Sequence, residues 1–474
     1  MTDRVLHVSD AATDRLRQGI AQIQAEQKVT PVFPPEVEAA AKAVRPTLPD
    51  KDLTALEFVT IDPAASMDLD QAMFLERDGD GYVVHYAIAD LATFVEPGGP
   101  IDVETHHRGE TLYGGDATIP LHPTVLSEGG ASLLPDQERP SLVWTIHLDK
   151  AGTITDRTVE RARVRSRLKL SYDGCQADID AGTASPLLGL LEEIGKLRQQ
   201  QETDRGGVSL PMPEQQVDIE GDAWRLEFRS PHPVEGWNAQ ISLLTGIAAA
   251  DIMLKGGIGV LRTLPPAPDW AVDKLRRRAK ALGVDWPADL DYPAFVRSLD
   301  PTKPNHAAMT VACTTLLRGA GYASFDGTPP EQPEHAALAT TYAHVTAPLR
   351  RLVDRYGLEV CVALCAGEEV PQWVRTALPD LPQLMRDGDS RAHAYENAVL
   401  DLVEAEILAG SVGETFPAVV LESDKDHPSE GKIQIADPAV EAKVTSQQPV
   451  PVGEAVTVTL TTADPATRKV AFTL

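Results

Sequence analysis

The stretch Thr60-Ile-Asp62-Pro-Ala-Ala-Ser-Met-Asp68-Leu-Asp70-Gln71-Ala72 places three carboxylates within nine residues, between two segments with strand patterns. Asp68 and Asp70 are two residues apart, so they point to the same side if the segment is extended. Clustered carboxylates repel one another unless a cation neutralises them, and oxygen ligands suit Mg²⁺ or Mn²⁺. Two such ions roughly 3.5–4 Å apart can activate water for phosphodiester hydrolysis. The alternative is a solvated Asp-rich loop, which the spacing alone slightly favours.

Strands surround this stretch, and helices follow them. Asp78-Gly-Asp-Gly81 is a hairpin signal between two alternating segments. The strand-like segments are 58–61, 72–77, 82–89, 141–148 and 158–172. The helix-like segments are 187–201, 237–254, 273–282, 306–317 and 336–365. Strands first and helices later predict an α+β domain over residues 51–405.

The two ends of the chain have patterns of their own. Residues 1–50 predict two helices, the first with Ser9 as N-cap and the second opened by Pro35. They could form part of a helix-turn-helix, although a helical extension packed on the next domain is favoured. Residues 406–474 contain five short β-like runs, which predict a small Greek-key barrel of OB type. Such barrels commonly bind single-stranded nucleic acid.

Two basic segments are candidates for phosphate contact. Arg161-Ala-Arg163-Val-Arg165-Ser-Arg167-Leu-Lys169 would present one basic face as a strand, either to phosphates or as a guarded sheet edge. In the segment 342–355, Thr346 could cap a helix whose first turn contains Pro348. That would place Arg350 and Arg351 at a helix N-terminus, which favours phosphate. A surface helix with Arg351 beside Asp354 is the alternative. A third run, 276–280, is interpreted as a solvated helix face.

Composition limits the function classes. The chain has 474 residues and a formal net charge of −27, which argues against loose binding along nucleic acid but not against an enzyme with internal cations. None of the four cysteines forms a CxxC pair, so neither a zinc site nor a disulfide framework is indicated. No apolar run reaches membrane-spanning length, and the N-terminus lacks a signal-peptide pattern. We expect a cytoplasmic protein without membrane contact.

Taken together and in this order, the motifs resemble those of the RNase II / RNase R (RNB) family of exoribonucleases. Residues 58–72 are similar to its Asp-rich signature, 169–173 to its basic strand ending in tyrosine, and 342–354 to its arginine motif. The resemblance extends over about residues 55–474. It implies an α+β fold with an RNB catalytic domain around a central channel. It also implies processive 3′→5′ hydrolysis of single-stranded RNA to nucleoside 5′-monophosphates with Mg²⁺, or Mn²⁺, by a monomer.

The resemblance also assigns roles to residues of this chain. The implied catalytic residues are Asp70, Arg350 and Asp68, and the implied metal ligands are Asp62, Asp68, Asp70 and Gln71. The implied RNA contacts are Tyr113, Tyr172, Arg165, Arg167, Lys169, Arg351 and Glu396.

The sequence departs from the family pattern at several points. Gln71 stands where the family usually has a fourth Asp, so the site loses one negative charge. Ala347 replaces the usual Ser, and about fifty helical residues replace the family's cold-shock barrels. A catalytically silent RNA-binding protein is therefore the main alternative. A helix-turn-helix regulator that binds duplex DNA through residues 1–50 is a third, against which the absence of a basic cluster there argues.

Overall fold

The computed structural model describes residues 10–115, 118–210, 214–220, 223–300 and 302–474. Two helices come first: α1 (Asp10–Gln27) and α2 (Pro35–Ala43). Five strands and one helix follow: β1 (Phe58–Asp62), β2 (Gln71–Asp78), β3 (Gly81–Ala89), α3 (Pro100–Arg108), β4 (Glu138–Leu148) and β5 (Ile154–Ser171).

The five strands close into a barrel in the order β1-β2-β3-β4-β5. Closure comes from β1, which pairs antiparallel with β2 and parallel with β5. Trp144 and Tyr86 are fully buried in its core. Because Asp62 ends β1 and Gln71 begins β2, the Asp-rich loop joins two neighbouring strands at one end of the barrel.

The middle of the chain is mainly helical. Its elements are α4 (Tyr172–Asp180), α5 (Pro186–Asp204), β6 (Glu214–Glu220), β7 (Ala223–Arg229), α6 (Pro233–Gly256), β8 (Ile258–Thr263), α7 (Asp269–Ala281), α8 (Tyr292–Arg297), α9 (Pro304–Cys313), β9 (Gly321–Asp326), β10 (Glu334–His335), β11 (Thr340–Thr341), α10 (Leu352–Ala366), α11 (Gln372–Ala377) and α12 (Leu381–Leu408). The long helix α6 packs against α5, α10 and the barrel strands. It therefore belongs to the same core as the barrel.

Helices α7, α8 and α9 form an insertion between β8 and β9, which pair with each other. The insertion has its own apolar core around Phe295 and Met309, both fully buried. The two ends of the insertion are held together by the pairing of β8 with β9, and α9 packs against residues 415–423 of the C-terminal region.

The first two helices pack on different parts of the body. In α1, Leu16, Ile20 and Ile23 are buried against α12. Helix α2 packs instead against α3. This arrangement matches the favoured prediction of a helical extension, and the predicted N-cap Ser9 lies outside the described residues.

The C-terminal strands form a second closed barrel in the order β12-β13-β14-β16-β15. They are β12 (Thr415–Ser423), β13 (Glu430–Ile435), β14 (Val440–Thr445), β15 (Ala455–Asp464) and β16 (Lys469–Thr473). The α+β class and the OB-type barrel are thus confirmed. Among the described residues, no helix combines the length and apolar character of a membrane span.

One predicted helix is wrong in its first half. Residues 336–365 were expected to be helical throughout, but turns at 336–339 and 348–350, β11 and backbone without regular structure occupy the region before Leu352. Arg351 is the N-cap, with φ −141° and ψ 121°, so neither Thr346 as cap nor Pro348 as first turn is correct. The Asp354 carboxylate, in the first turn of α10, accepts a hydrogen bond from Ala347 N (2.8 Å). This bond holds the segment before α10 against the start of the helix.

Candidate active site

A cavity of about 610 Å³ opens where the Asp-rich loop, α6 and the segment before α10 meet. Eight of the residues predicted from the sequence line it: Asp62, Asp68, Asp70, Gln71, Tyr113, Tyr172, Arg350 and Arg351. They come from four distant parts of the chain. The fold therefore brings the acidic motif and the arginine motif to one place.

Asp70 is the most enclosed of the three carboxylates, with 4% of its surface exposed. Its Oδ1 accepts a hydrogen bond from Leu349 N (2.7 Å), and its Oδ2 lies 3.7 Å from Arg350 Nε. Burial raises the pKa of Asp70 well above its usual value, and Arg350 and the Leu349 amide oppose that shift. One carboxylate oxygen of Asp70 is thus held by the Leu349 amide, and the other faces the guanidinium of Arg350.

Asp62 and Asp68 are half-buried at the same cavity. Burial raises the pKa of Asp62 to about 7, and the negative charge of Asp68 adds to the effect. Burial also raises the pKa of Asp68. A divalent cation would relieve this repulsion. Nowhere in the described ranges do three His, Cys, Asp or Glu side chains converge on one metal position. The donor set still fits Mg²⁺, which binds through one or two carboxylates and keeps water or substrate phosphate as further ligands.

Gln71 is hydrogen-bonded at both ends of its carboxamide. Its Nε2 donates to the Thr346 carbonyl oxygen, and its Oε1 accepts from the Tyr86 hydroxyl (3.2 Å). That hydroxyl also bonds Ser242 Oγ (2.9 Å). Burial raises the pKa of Tyr86, so the phenol remains protonated and able to donate. The network ties β2, β3, α6 and the segment before α10 together beside the carboxylates.

The two adjacent arginines have different surroundings. Arg351 is 14% exposed and makes two bonds to Asp354, of 2.5 and 2.8 Å. The Asp354 charge raises its pKa despite burial. Arg350 is 44% exposed, and the carboxylate nearest to its guanidinium is that of Asp70. Arg350 is therefore the cation available to a phosphate, whereas Arg351 holds the start of α10.

Two tyrosines flank the acidic end of the cavity. The Tyr172 hydroxyl accepts a hydrogen bond from Asn238 Nδ2 (3.0 Å), and burial raises its pKa to about 12. Tyr113 is 47% exposed, so much of its ring is open to a ligand. Both side chains offer surfaces on which an unpaired base can stack.

Four predicted RNA contacts lie away from the cavity lining. On β5, Arg165 pairs with Glu138 (2.6 Å), and Arg167 donates to the Thr54 carbonyl oxygen (2.7 Å). Lys169 donates to the Ala64 carbonyl oxygen (2.8 Å) in the Asp-rich loop, and its charge lowers the pKa of Asp62. Glu396 is exposed on α12. Lys169 therefore lies beside the Asp-rich loop, whereas Arg165, Arg167 and Glu396 are not part of the cavity lining.

Sequence reasoning missed the polar side of α6. Glu235, Asn238 and Ser242 line the cavity from this helix. Their signal was available, because polar residues at helical spacing of three and four interrupt an otherwise apolar helix. Such a polar stripe on a buried helix indicates a polar cavity opposite it.

Comparisons with known proteins agree with this geometry. The model of the RNB domain matches residues 50–360, and that of the RNase II-type exonuclease C-terminal S1 domain matches residues 414–474. Ribonuclease R of Escherichia coli is 27% identical over 423 residues, covering 82% of this chain and 51% of that protein. The chain thus spans about half the length of that curated relative.

Solved structures show the same fold. The apo form of Mycoplasma genitalium RNase R superposes with a TM-score of 0.86 at 19% identity, covering 97% of this chain and 78% of that one. Yeast Ssd1, described as a pseudonuclease, superposes with a TM-score of 0.68 at 14% identity, covering 90% and 55%. The fold therefore occurs both in a ribonuclease and in a protein described as lacking that activity.

Proposed function

This chain belongs to the RNase II / RNase R (RNB) family, and we propose that it is a divalent-metal-dependent, processive 3′→5′ exoribonuclease. Its substrate would be single-stranded RNA and its products nucleoside 5′-monophosphates. The supporting observation is the cavity in which Asp62, Asp68 and Asp70 meet Arg350. Carboxylates able to hold a hard cation, beside a guanidinium that is 44% exposed, are groups that suit phosphodiester hydrolysis.

Each residue has a role in this proposal. Asp62, Asp68 and Asp70 would hold Mg²⁺ or Mn²⁺, with the remaining lone pair of Gln71 Oε1 as a further donor. A bound ion supplies an activated water and neutralises phosphate charge. Arg350 binds a phosphate oxygen through its guanidinium and stabilises charge that develops there. Tyr113 and Tyr172 stack the terminal bases, which selects unpaired RNA.

The test uses 5′-labelled single-stranded RNA with Mg²⁺, with and without EDTA. We expect a shortening ladder or a small end product, which EDTA prevents. Asp70→Asn should abolish cleavage and still bind RNA, because it keeps the acceptor for Leu349 N and loses only the charge. The exposed Asp285→Asn is the matched control. Full cleavage by Asp70→Asn would refute the site assignment.

A second candidate is an RNA-binding protein that lacks nuclease activity. Gln71 in place of a carboxylate favours it, and so does the likeness of the fold to a pseudonuclease. Intact but retarded RNA in both Mg²⁺ and Mn²⁺ would establish this function instead.

The same proposal includes the division into residues 1–50, 51–405 and 406–474, a monomer and a cytoplasmic location. Light scattering on the purified chain tests the monomer. Limited proteolysis tests the boundaries, since cleavage concentrates at exposed linkers between folded units.

A further inference from the structure

Most of the basic strand that was predicted to follow phosphates is neutralised within the protein. Arg161 pairs with Asp90 and Glu359, Arg163 with Asp52 and Glu138, and Arg165 with Glu138, while Arg167 and Lys169 donate to backbone carbonyls. A guanidinium held by a carboxylate offers little net charge to a polyanion. RNA outside the cavity therefore needs a different cationic surface.

Helix α7 carries such a surface. Two of its arginines are used structurally: Arg276 donates to Pro287 O and Leu290 O, and Arg278 donates to Leu421 O in β12. Lys274, Arg277 and Lys280 are exposed, and within the described ranges none of them pairs with a carboxylate. The run 276–280, which the sequence predicted to be a solvated helix face, therefore contains both arginines bonded within the protein and exposed cations without a carboxylate partner among the described residues.

An exposed aromatic residue lies on the same side of the helix. Trp270 is 68% exposed in the first turn of α7. At about 100° per residue, Trp270, Lys274 and Arg277 share the face opposite the buried Leu275 and Ala279. Lys280 extends this face, which we call the basic stripe (Trp270, Lys274, Arg277 and Lys280), to a length of about 15 Å. Asp273 also lies on this face, between Arg277 and Lys280 in helical projection, and is the one acidic residue between the first and last of these residues in the sequence.

We propose that the basic stripe binds single-stranded RNA outside the catalytic cavity. The choice of RNA rests on the proposed function. The choice of a polyanion rests on charge complementarity, since three unpaired cations are grouped on a chain with a net charge of −27. An indole beside phosphate-binding cations is the combination by which single strands are held without sequence preference.

The C-terminal barrel lacks this combination. Residues 414–474 contain nine Asp and Glu against five Lys and Arg, and their two aromatic residues, Phe416 and Phe472, are both buried. The barrel therefore offers neither a stacking platform nor net positive charge. It provides a matched control, because Lys425, Lys443 and Lys469 are three exposed cations on its surface.

The test is fluorescence anisotropy on the full chain in EDTA, so that no cleavage is needed, with oligouridylates of about five and about 25 nucleotides. The variant Lys274→Gln/Arg277→Gln/Lys280→Gln is compared with Lys425→Gln/Lys443→Gln/Lys469→Gln, which changes the net charge equally. We expect the first to bind the long RNA about 100-fold more weakly at 0.1 M salt. Its slope of log affinity against log salt should be smaller by about 2, since each lost phosphate contact removes about 0.7. Trp270→Ala should weaken long-RNA binding at least about fivefold.

We expect the short RNA to bind at the cavity without reaching α7, so its affinity should be unchanged in all three variants. The proposal would be overturned if the α7 variants bound the long RNA with the same affinity and the same salt slope as the wild type. So would a loss confined to the barrel variant. If the wild type fails to cleave RNA but the α7 variants lose long-RNA binding, the proposed nuclease activity fails and the basic stripe stands.

Discussion

Gln71→Glu tests what the amide at this position does. The substitution keeps the shape of the side chain and removes one donor. In the native protein Nε2 donates to the Thr346 carbonyl oxygen, so an ionised Glu would place negative charge against that oxygen and beside Asp70. A buried carbonyl left without its donor costs about 1–3 kcal/mol, and the added like charge increases the cost.

The introduced Glu can also become protonated, and the free-energy cost of that protonation is an upper limit on the loss of stability. A protonated Glu can donate its O–H to the Thr346 oxygen in place of the amide. Holding that proton at pH 8 costs about 5 kcal/mol from an ordinary glutamate pKa of about 4.3, so at pH 8 the smaller cost of the ionised form sets the deficit. The variant should therefore be about 2–3 kcal/mol less stable than wild type at pH 8. The introduced Glu takes up its proton at a higher pH in the folded state than in the unfolded state, so the loss of stability should shrink towards pH 5.

Urea denaturation in EDTA at pH 5 and pH 8 measures this deficit without metal. Gln332→Glu, at an exposed position, is the control for the added charge. Turnover of RNA should also fall at saturating Mg²⁺, because Thr346 lies in the segment that supplies Leu349 N and Arg350 to Asp70. Wild-type stability in EDTA at pH 8 together with tighter Mg²⁺ binding would refute the positioning role. That result would show that residue 71 acts only through the metal and does not position the segment that contains Thr346.

Two further predictions concern packing and pH. Gly246→Ala should destabilise the protein by about 1–3 kcal/mol and reduce cleavage, because a Cβ there would overlap the Tyr342 ring beside the cavity; the exposed Gly189→Ala in α5, which meets nothing within 4 Å, should instead stabilise by about 0.5–1 kcal/mol in urea denaturation. Burial raises the pKa of Glu404 to about 7, so the folded state binds its proton more tightly and stability falls as pH rises from about 4.5 to 7. Glu404→Gln keeps the one oxygen that accepts from Gln215 Nε2 and should raise the melting temperature at pH 8 but not at pH 4.5; equal curves at both pH values would contradict this.

The parts of the fold that were predicted correctly depend on local signals. The Asp78–Gly81 turn and the alternation around it predicted the hairpin of β2 and β3. The helix predicted over 336–365 was wrong before Leu352, where the Asp354 carboxylate accepts from Ala347 N, a contact that helix propensity does not encode. The polar side of α6 was visible as spacing, but its meaning required the cavity opposite it.

The site shows why sequence motifs predict which residue types are present but not the role of each residue. Asp70 and Leu349 are 279 positions apart, and Gln71 and Thr346 are 275 apart, yet these two bonds set the position of the arginine against the acid. Arg350 and Arg351 are neighbours in sequence, and only the fold assigns one to the cavity and the other to Asp354. Likewise, the five cations at 161–169 in β5 and the five at 274–280 in α7 look alike as sequence. They differ because carboxylates and backbone carbonyls of the described residues bond all of the first set but only Arg276 and Arg278 of the second. In a chain of net charge −27, unpaired cations rather than basic runs therefore indicate the surface at which we propose that RNA binds.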